Sequence, residues 1–288
     1  MTESAGPRAV TALVGAADLL SDAGEYEVSA GARVTWSVVS VRGRRSENED
    51  SWAASPPVFV VADGMGGYAA GADASRLVSG AVAPGSGTGT GVTAGDVETR
   101  IANAHAQVVE RSEELGRTMG STLTGAALVE APGGAGAWTW LVFNVGDSRA
   151  YVRSQGSVRQ VSIDHSVVQE LLTHGTIDRS QADRHPERHV VTRALGTTSP
   201  HQADYWAWPA YAGDRLLLCS DGLLLVGSEQ VVVAGVLTAP NPMATLLDLL
   251  TPVAESARDN VTVMLLELIG DFGVMDDETT IPRASVAR

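Results

Sequence analysis

Val58-Phe-Val-Val-Ala-Asp-Gly-Met-Gly-Gly67 sets an unbroken apolar run directly against an aspartate and a cluster of glycines. A short apolar run rich in β-branched residues reads as a strand covered on both faces. Aspartate is a poor strand residue, so Asp63 is expected to end that strand and aim its carboxylate off the sheet's edge. Gly64 lets the backbone approach whatever the carboxylate holds, leaving a carbonyl free as a further oxygen donor.

The same punctuation recurs at Glu49-Asp50, Gly146-Asp147-Ser148, Asp221-Gly222 and Asp259-Asn260, each read as lying at the end of a strand. Any one of these pairs is an ordinary turn, but the set suggests a single centre. Carboxylates gathered at one point cannot all stay ionised unless cations neutralise them. Oxygen donors without thiolates favour Mg²⁺ or Mn²⁺ over zinc. Two such ions about 3.5–4 Å apart activate water and stabilise an in-line phosphoryl displacement.

Working outward, strand patterns cover Val34–Val41, Ser121–Val129, Trp138–Val145, Arg149–Arg153, Val158–Val161, Leu216–Ser220 and Val261–Leu268, spaced by turn residues as in an antiparallel meander. Apolar residues at Val97, Ile101, Ala104, Val108 and Leu115 predict a helix with a polar outer face. Shorter helical patterns occupy Ser166–His174, Arg179–His185, Glu229–Leu237 and Pro242–Arg258, and Pro84–Gly95 reads as a loop. Strands in succession with helices in separate blocks predict an α+β fold, antiparallel sheets packed together with helices outside. Residues 1–30 read as a loosely attached arm, 31–270 as the catalytic domain and 271–288 as an acidic, disordered tail.

Composition excludes several kinds of chemistry. A net charge of −14 repels the phosphate backbone, which argues against a nucleic-acid partner. The chain has no lysine; all 20 basic residues are arginine. Schiff bases, the phosphate-loop lysine and the kinase strand lysine are therefore excluded, leaving phosphate to arginine, backbone or metal. The single Cys219 lies in an apolar run and reads as a core filler, without a disulfide or a thiolate zinc cluster. No secretory leader opens Met1–Gly15, and the apolar region Leu216–Leu237 is broken by Ser220, Asp221 and Glu229. A cytoplasmic protein without a membrane partner is the expectation.

Six segments occur in order: Arg45-Ser-Glu-Asn-Glu-Asp50, Val61-Ala-Asp-Gly-Met-Gly-Gly67, Met119-Gly-Ser-Thr122, Val145-Gly-Asp-Ser-Arg149, Leu218-Cys-Ser-Asp-Gly222 and Arg258-Asp-Asn-Val-Thr-Val263. Together they resemble the metal-dependent serine/threonine phosphatases of type 2C, in the bacterial form, over about Arg33–Leu268. The resemblance implies a central sandwich of two antiparallel β-sheets flanked by α-helices, with metals in a cleft at one end. It implies that Asp63 bridges two Mn²⁺ or Mg²⁺ ions, with Asp221 and Asp259 completing one site. Glu49 and the Gly64 carbonyl, partly through water, serve the other, and Asp147 helps to hold a third, weaker metal. Arg45 matches the arginine that clamps the substrate phosphate, a task suited to its planar fork, with Arg44 as its rival. Asp50 and Asn260 are expected to orient ligands and waters.

Met65 stands where some eukaryotic members carry a histidine proposed to protonate the leaving alkoxide, and a thioether has no proton to give. His165, His174, His185 and His189 lie in an excursion between Asp164 and Arg193 that matches the family's mobile flap, each expected as a surface residue. The activity implied is hydrolysis of phosphoserine and phosphothreonine on phosphorylated proteins, opposing a cognate serine/threonine kinase. The alternative, a non-catalytic binding module of the same fold, is expected to lose ligands that are all present here. In Met275-Asp-Asp-Glu-Thr-Thr-Ile-Pro-Arg283, Thr279 or Thr280 is a candidate phosphoacceptor for a forkhead-associated-domain protein. A plain solvated acidic tail is the other reading.

Overall fold

The computed structural model describes residues 8–10, 19–29, 31–67, 70–85, 91–131, 137–182 and 184–272. One sheet runs in the order β1 (Arg8–Val10), β2 (Leu19–Ser29), β3 (Ala32–Val41), β13 (Val261–Gly270), β12 (Arg215–Cys219), β9 (Arg149–Ser154) and β10 (Ser157–Gln160). The other runs β11 (Asp204–Pro209), β8 (Trp138–Val145), β7 (Leu123–Glu130), β5 (Val58–Gly66) and β4 (Asp50–Ser55), with β6 (Met119–Ser121) added to the end of β5. Neighbouring strands pair antiparallel.

The two-residue period of a strand decides which side chain enters which layer. In β5, Val58, Val60 and Ala62 pack under helices α1 (Ala70–Val82) and α2 (Ala94–Leu115), while Phe59 and Val61 face the other sheet. In β12, Leu216 and Leu218 face inward, and Leu217 and Cys219 meet α5 (Glu229–Thr238) and α6 (Pro242–Leu250). Both sheets are thus covered on two faces, which explains the continuous apolar runs. Phe59 and Trp140 are fully buried between the sheets; truncating such a ring to alanine costs about 3–5 kcal/mol.

Toward one end of the sandwich this inner layer turns polar. The apolar positions Trp36 and Val38 are continued by Ser40, Phe59 and Val61 by Asp63, and Leu216 and Leu218 by Ser220. Read against chain direction, Leu266 and Met264 lead to Thr262 and Asn260, Trp52 leads to Asp50, and Ala150 leads to Ser148. Hydrogen bonds cross between the sheets here: Ser220 Oγ donates to Asp50 Oδ2 at 2.7 Å, and Thr122 Oγ1 lies 2.7 Å from Ser148 Oγ.

The structure amends several expectations. Leu19–Ser29, assigned to the arm, is a full strand paired with β3 from Leu19↔Val41 onward. Its Ser, Asp, Glu and Gly residues hide the apolar period. Phe272, assigned to the tail, is buried among the inner-layer residues. β4, β11 and α1 carried no clear pattern; α1 is built from Ala, Gly and Ser with few large apolar residues. α2 starts at Ala94, where Thr93 forms a capping box with Asp96, so the helix begins inside the stretch expected as loop. Its stripe of Val97, Ile101, Ala104 and Val108 is buried, but Leu115, in the last turn, is exposed. α4 (Arg179–Ala182) is shorter than its pattern, and α6 stops at Leu250 because Pro252 cannot continue an α-helix. α3 spans Val167–Thr173, capped by Ser166. Among the described residues no helix is long and apolar enough to cross a membrane.

Candidate metal centre

Asp63 does not end its strand. β5 continues to Gly66 because β6 takes over the pairing, with Gly64 opposite Ser121. Asp63 shares the parity of Phe59 and Val61, so its carboxylate enters the polar end between the sheets. Thr122 fixes it through the main chain: Asp63 N–H donates to Thr122 Oγ1 at 3.0 Å, and Thr122 N–H donates to the Asp63 carbonyl at 2.8 Å. Asp50 opens β4 directly opposite Asp63. Glu49-Asp50 and Asp259-Asn260 therefore precede strands rather than follow them. Asp221 begins a 3-10 turn, Asp221–Leu225, after β12, and Asp147 follows Gly146 at the end of β8.

Removal from water and mutual repulsion leave these groups reluctant to ionise. Asp50 is pushed up to about 7 by desolvation, then by Asp221 and Asp259. Desolvation followed by repulsion from Asp221 likewise brings Asp147 to about 7. Asp63 is raised well above the usual carboxylate range by desolvation and by Asp50, Asp221, Asp147 and Asp259. Asp221 is raised by desolvation and Asp259, and Glu49 chiefly by desolvation. The carboxylates named from sequence thus share one electrostatic neighbourhood. Asp50 Oδ1 is buried without a hydrogen-bond partner. An all-oxygen set with an orphaned carboxylate oxygen suits a hard divalent cation. Among the described residues, however, no three His, Cys, Asp or Glu side chains close into a ready cage.

Glu49 is held by packing against glycine. A Cβ on Gly64 would lie 2.0 Å from the Gly71 carbonyl oxygen, and one on Gly71 would lie 2.6 Å from Glu49 Oε1. Only glycine at both positions lets α1, β5 and Glu49 meet this closely. Asn260 acts on the same segment: its Oδ1 accepts the Glu49 N–H at 2.9 Å, and its Nδ2 donates to the carbonyls of Arg42 and Glu47 at 2.7 and 3.0 Å. It therefore orients the Arg45–Glu49 loop, and with it the backbone of Glu49, through the main chain. Arg45 Nη2 donates to Asp259 Oδ2 at 2.7 Å, and Asp259, Glu49 and Asp63 all favour its charge. Arg44 is exposed and donates its N–H to the Ala257 carbonyl.

Of the flap histidines, His174 and His189 are exposed and His185 is half-buried. His165, expected at the surface, is only 5 % exposed. His189 is close enough to Asp221 to act on its electrostatics. Thr279 and Thr280 lie outside the described residues. A separate cavity of about 510 Å³, lined by Gly24, Trp36, Arg215, Met243 and Leu265, contains none of these carboxylates.

Ser40, Thr122, Ser148, Ser220 and Thr262, to which the sequence motifs assign no role, support the site by hydrogen bonds. Their signal was the inner-face period continued past the last apolar residue.

Comparison with known proteins gives this cleft a context. A serine/threonine phosphatase, Stp, of Listeria welshimeri is 35% identical over 244 residues, covering 78% of this chain and 92% of that protein. The crystal structure of the Mycobacterium tuberculosis serine/threonine phosphatase PstP/Ppp superposes with a TM-score of 0.69 at 30% identity, covering 83% of this chain and 99% of the other. A structure of the PstP catalytic domain in complex with two manganese ions gives 0.68 at 29% identity, covering 83% and 99%. Residues 40–261 match the family described as Protein phosphatase 2C. That match runs from the inner-face Ser40 to the first residue of β13 and takes in every carboxylate of the cleft: the chain belongs to the protein phosphatase 2C family.

Proposed function

We infer that this chain hydrolyses phosphoserine and phosphothreonine on proteins in a metal-dependent reaction. The observation that carries the reading is the shared electrostatic neighbourhood of Asp63, Asp147, Asp221, Asp259 and Glu49, with Arg45 joined to it. Asp63, Asp221 and Asp259 would hold one cation, and Asp63, Glu49 and the Gly64 carbonyl a second, with Asp147 assigned to a third, weaker one. Mn²⁺ or Mg²⁺ bound there supplies Lewis-acid activation of water and neutralises charge on the phosphoryl group.

Arg45 is the phosphate clamp in this reading, since its guanidinium donates to Asp259 and its charge is favoured by Asp259, Glu49 and Asp63. To take two phosphate oxygens it must exchange or share its bond to Asp259. Asp50 and Ser220 brace the region between Asp63 and Asp221. Met65 offers no proton, leaving the acid unassigned. The substrates are phosphoproteins made by a serine/threonine kinase of the same cell, and a cytoplasmic address and a forkhead-associated partner for the tail complete the proposal.

Hydrolysis of an aryl phosphate and of a phosphothreonine peptide, with Mn²⁺ and with excess chelator, tests the reading. Activity is expected only with the metal, and equal turnover in chelator would refute it. Arg45→Ala should raise KM by about tenfold or more, with a smaller change in kcat, as loss of ground-state phosphate binding requires. An unchanged KM would transfer the role elsewhere.

A further inference from the structure

His165 joins three parts of the molecule. Its Nδ1 accepts the N–H of Gly146 at 3.1 Å, so the ring proton sits on Nε2, which lies 3.1 Å from Asp204 Oδ2. Its own N–H donates to the Gly146 carbonyl at 2.9 Å, and Asn144 Nδ2 donates to the same carbonyl at 3.0 Å. That carbonyl shares a rigid plane with the Asp147 N–H, so fixing it fixes the direction in which Asp147 leaves β8. Gly146 itself has φ +102, and a Cβ there would lie 2.6 Å from Thr122.

The other bonds lead into the flap and the sheet edge. Thr192 N–H donates to the His165 carbonyl at 2.8 Å, tying together the two ends of the excursion. Arg193 Nη1 donates to Asp204 Oδ1 at 2.9 Å, and Asp204 opens β11 opposite Asn144. The hydrogen bond from His165 holds Asp204 below the usual carboxylate range. Beside this group, Arg149 bridges Asp164 and Glu229 at 2.5 and 2.8 Å.

We propose that His165, protonated on Nε2, is a positioning residue for Asp147, setting the cleft's affinity for the cation that Asp147 contacts. This rests on the metal-centre reading of Asp147 above. Asparagine at 165 can keep an acceptor where Nδ1 stands, whereas glutamine places its amide near the Nε2 position and leaves Gly146 N–H unpaired.

The test is Mn²⁺ binding by the full chain without substrate, read from the electron paramagnetic resonance signal of free Mn²⁺. Wild type, Asp147→Asn, His165→Gln, His165→Asn and the Asp147→Asn/His165→Gln pair are compared. Expected is an Mn²⁺ class in wild type that Asp147→Asn removes, weakened about tenfold by His165→Gln. His165→Asn should stay near wild type, and the double variant should lose no more than Asp147→Asn alone. Long-range ¹H–¹⁵N spectra of wild type, independent of any variant's folding, should show the Nε2–H form. Unchanged binding in His165→Gln, fully additive losses, or an Nδ1–H ring overturns the proposal while the metal centre stands. Absence of any Asp147-dependent Mn²⁺ class overturns both.

Discussion

Asp63→Asn is expected to lower Mn²⁺-supported turnover of an aryl phosphate by about three orders of magnitude, close to 4 kcal/mol of transition-state stabilisation. The substitution is nearly isosteric, and the hydrogen bonds of Asp63 to Thr122 and Ser121 all run through its main chain, so the fold has no reason to fail. Indeed, the metal-free variant should melt higher than metal-free wild type. It removes an acid whose ionisation is opposed by desolvation and by Asp50, Asp221, Asp147 and Asp259. Steady-state kinetics and thermal melting of the same preparations decide the matter. A variant that is inactive because it has unfolded, or one that turns over normally, would contradict the placement of Asp63.

A second large effect concerns pH. Asp50 and Asp147 are pushed up to about 7, with Asp63, Asp221 and Glu49 also raised above their ordinary values. A carboxyl whose folded pKa exceeds its unfolded one binds protons more tightly in the folded state. Its contribution to stability is complete below the unfolded pKa, near 4, and is lost as pH rises through the folded value. The metal-free protein should therefore melt at a lower temperature at pH 8 than at pH 6. Cations bind the deprotonated carboxylates, so saturating Mn²⁺ should raise Tm most at pH 8; a hundredfold excess over Kd adds about 2.7 kcal/mol. Melts with and without chelator at the two pH values test this. A metal-free Tm that is flat or rising from pH 6 to pH 8 would show that the carboxylates are not crowded as described.

The parts of the molecule that were legible in sequence are those in which one chemical signal dominates. β5, β8, β12 and β13 are long apolar runs, and the aspartates beside them are conspicuous. β2 sets a buried serine, Ser21, and the half-buried Asp22 among exposed Glu25 and Glu27, so polarity does not follow burial along it, and α1 is made of residues too small to show a stripe. The small size of α1 has a reason in the site: Gly71 must touch Gly64 and Glu49. Local rules also misjudged Asp63, since a poor strand residue is kept in a strand by the tertiary pairing of β6. Nothing local marks His165 as buried; its partners Gly146 and Asp204 are 19 and 39 residues away.

The inner layer that passes from Trp36, Phe59 and Leu218 to Ser40, Asp63 and Ser220 has a consequence for how this protein can vary. Because strand faces alternate, one residue inserted within β5 would turn Phe59 and Val61 toward the helices if the downstream pairing held, or Asp63 out of the cleft if the upstream pairing held. Packing and chemistry are written in the same reading frame. Lengthening of β5 is thus barred, while the connections at the opposite end of the sandwich from Asp63 and Ser220 can change without moving a single carboxylate.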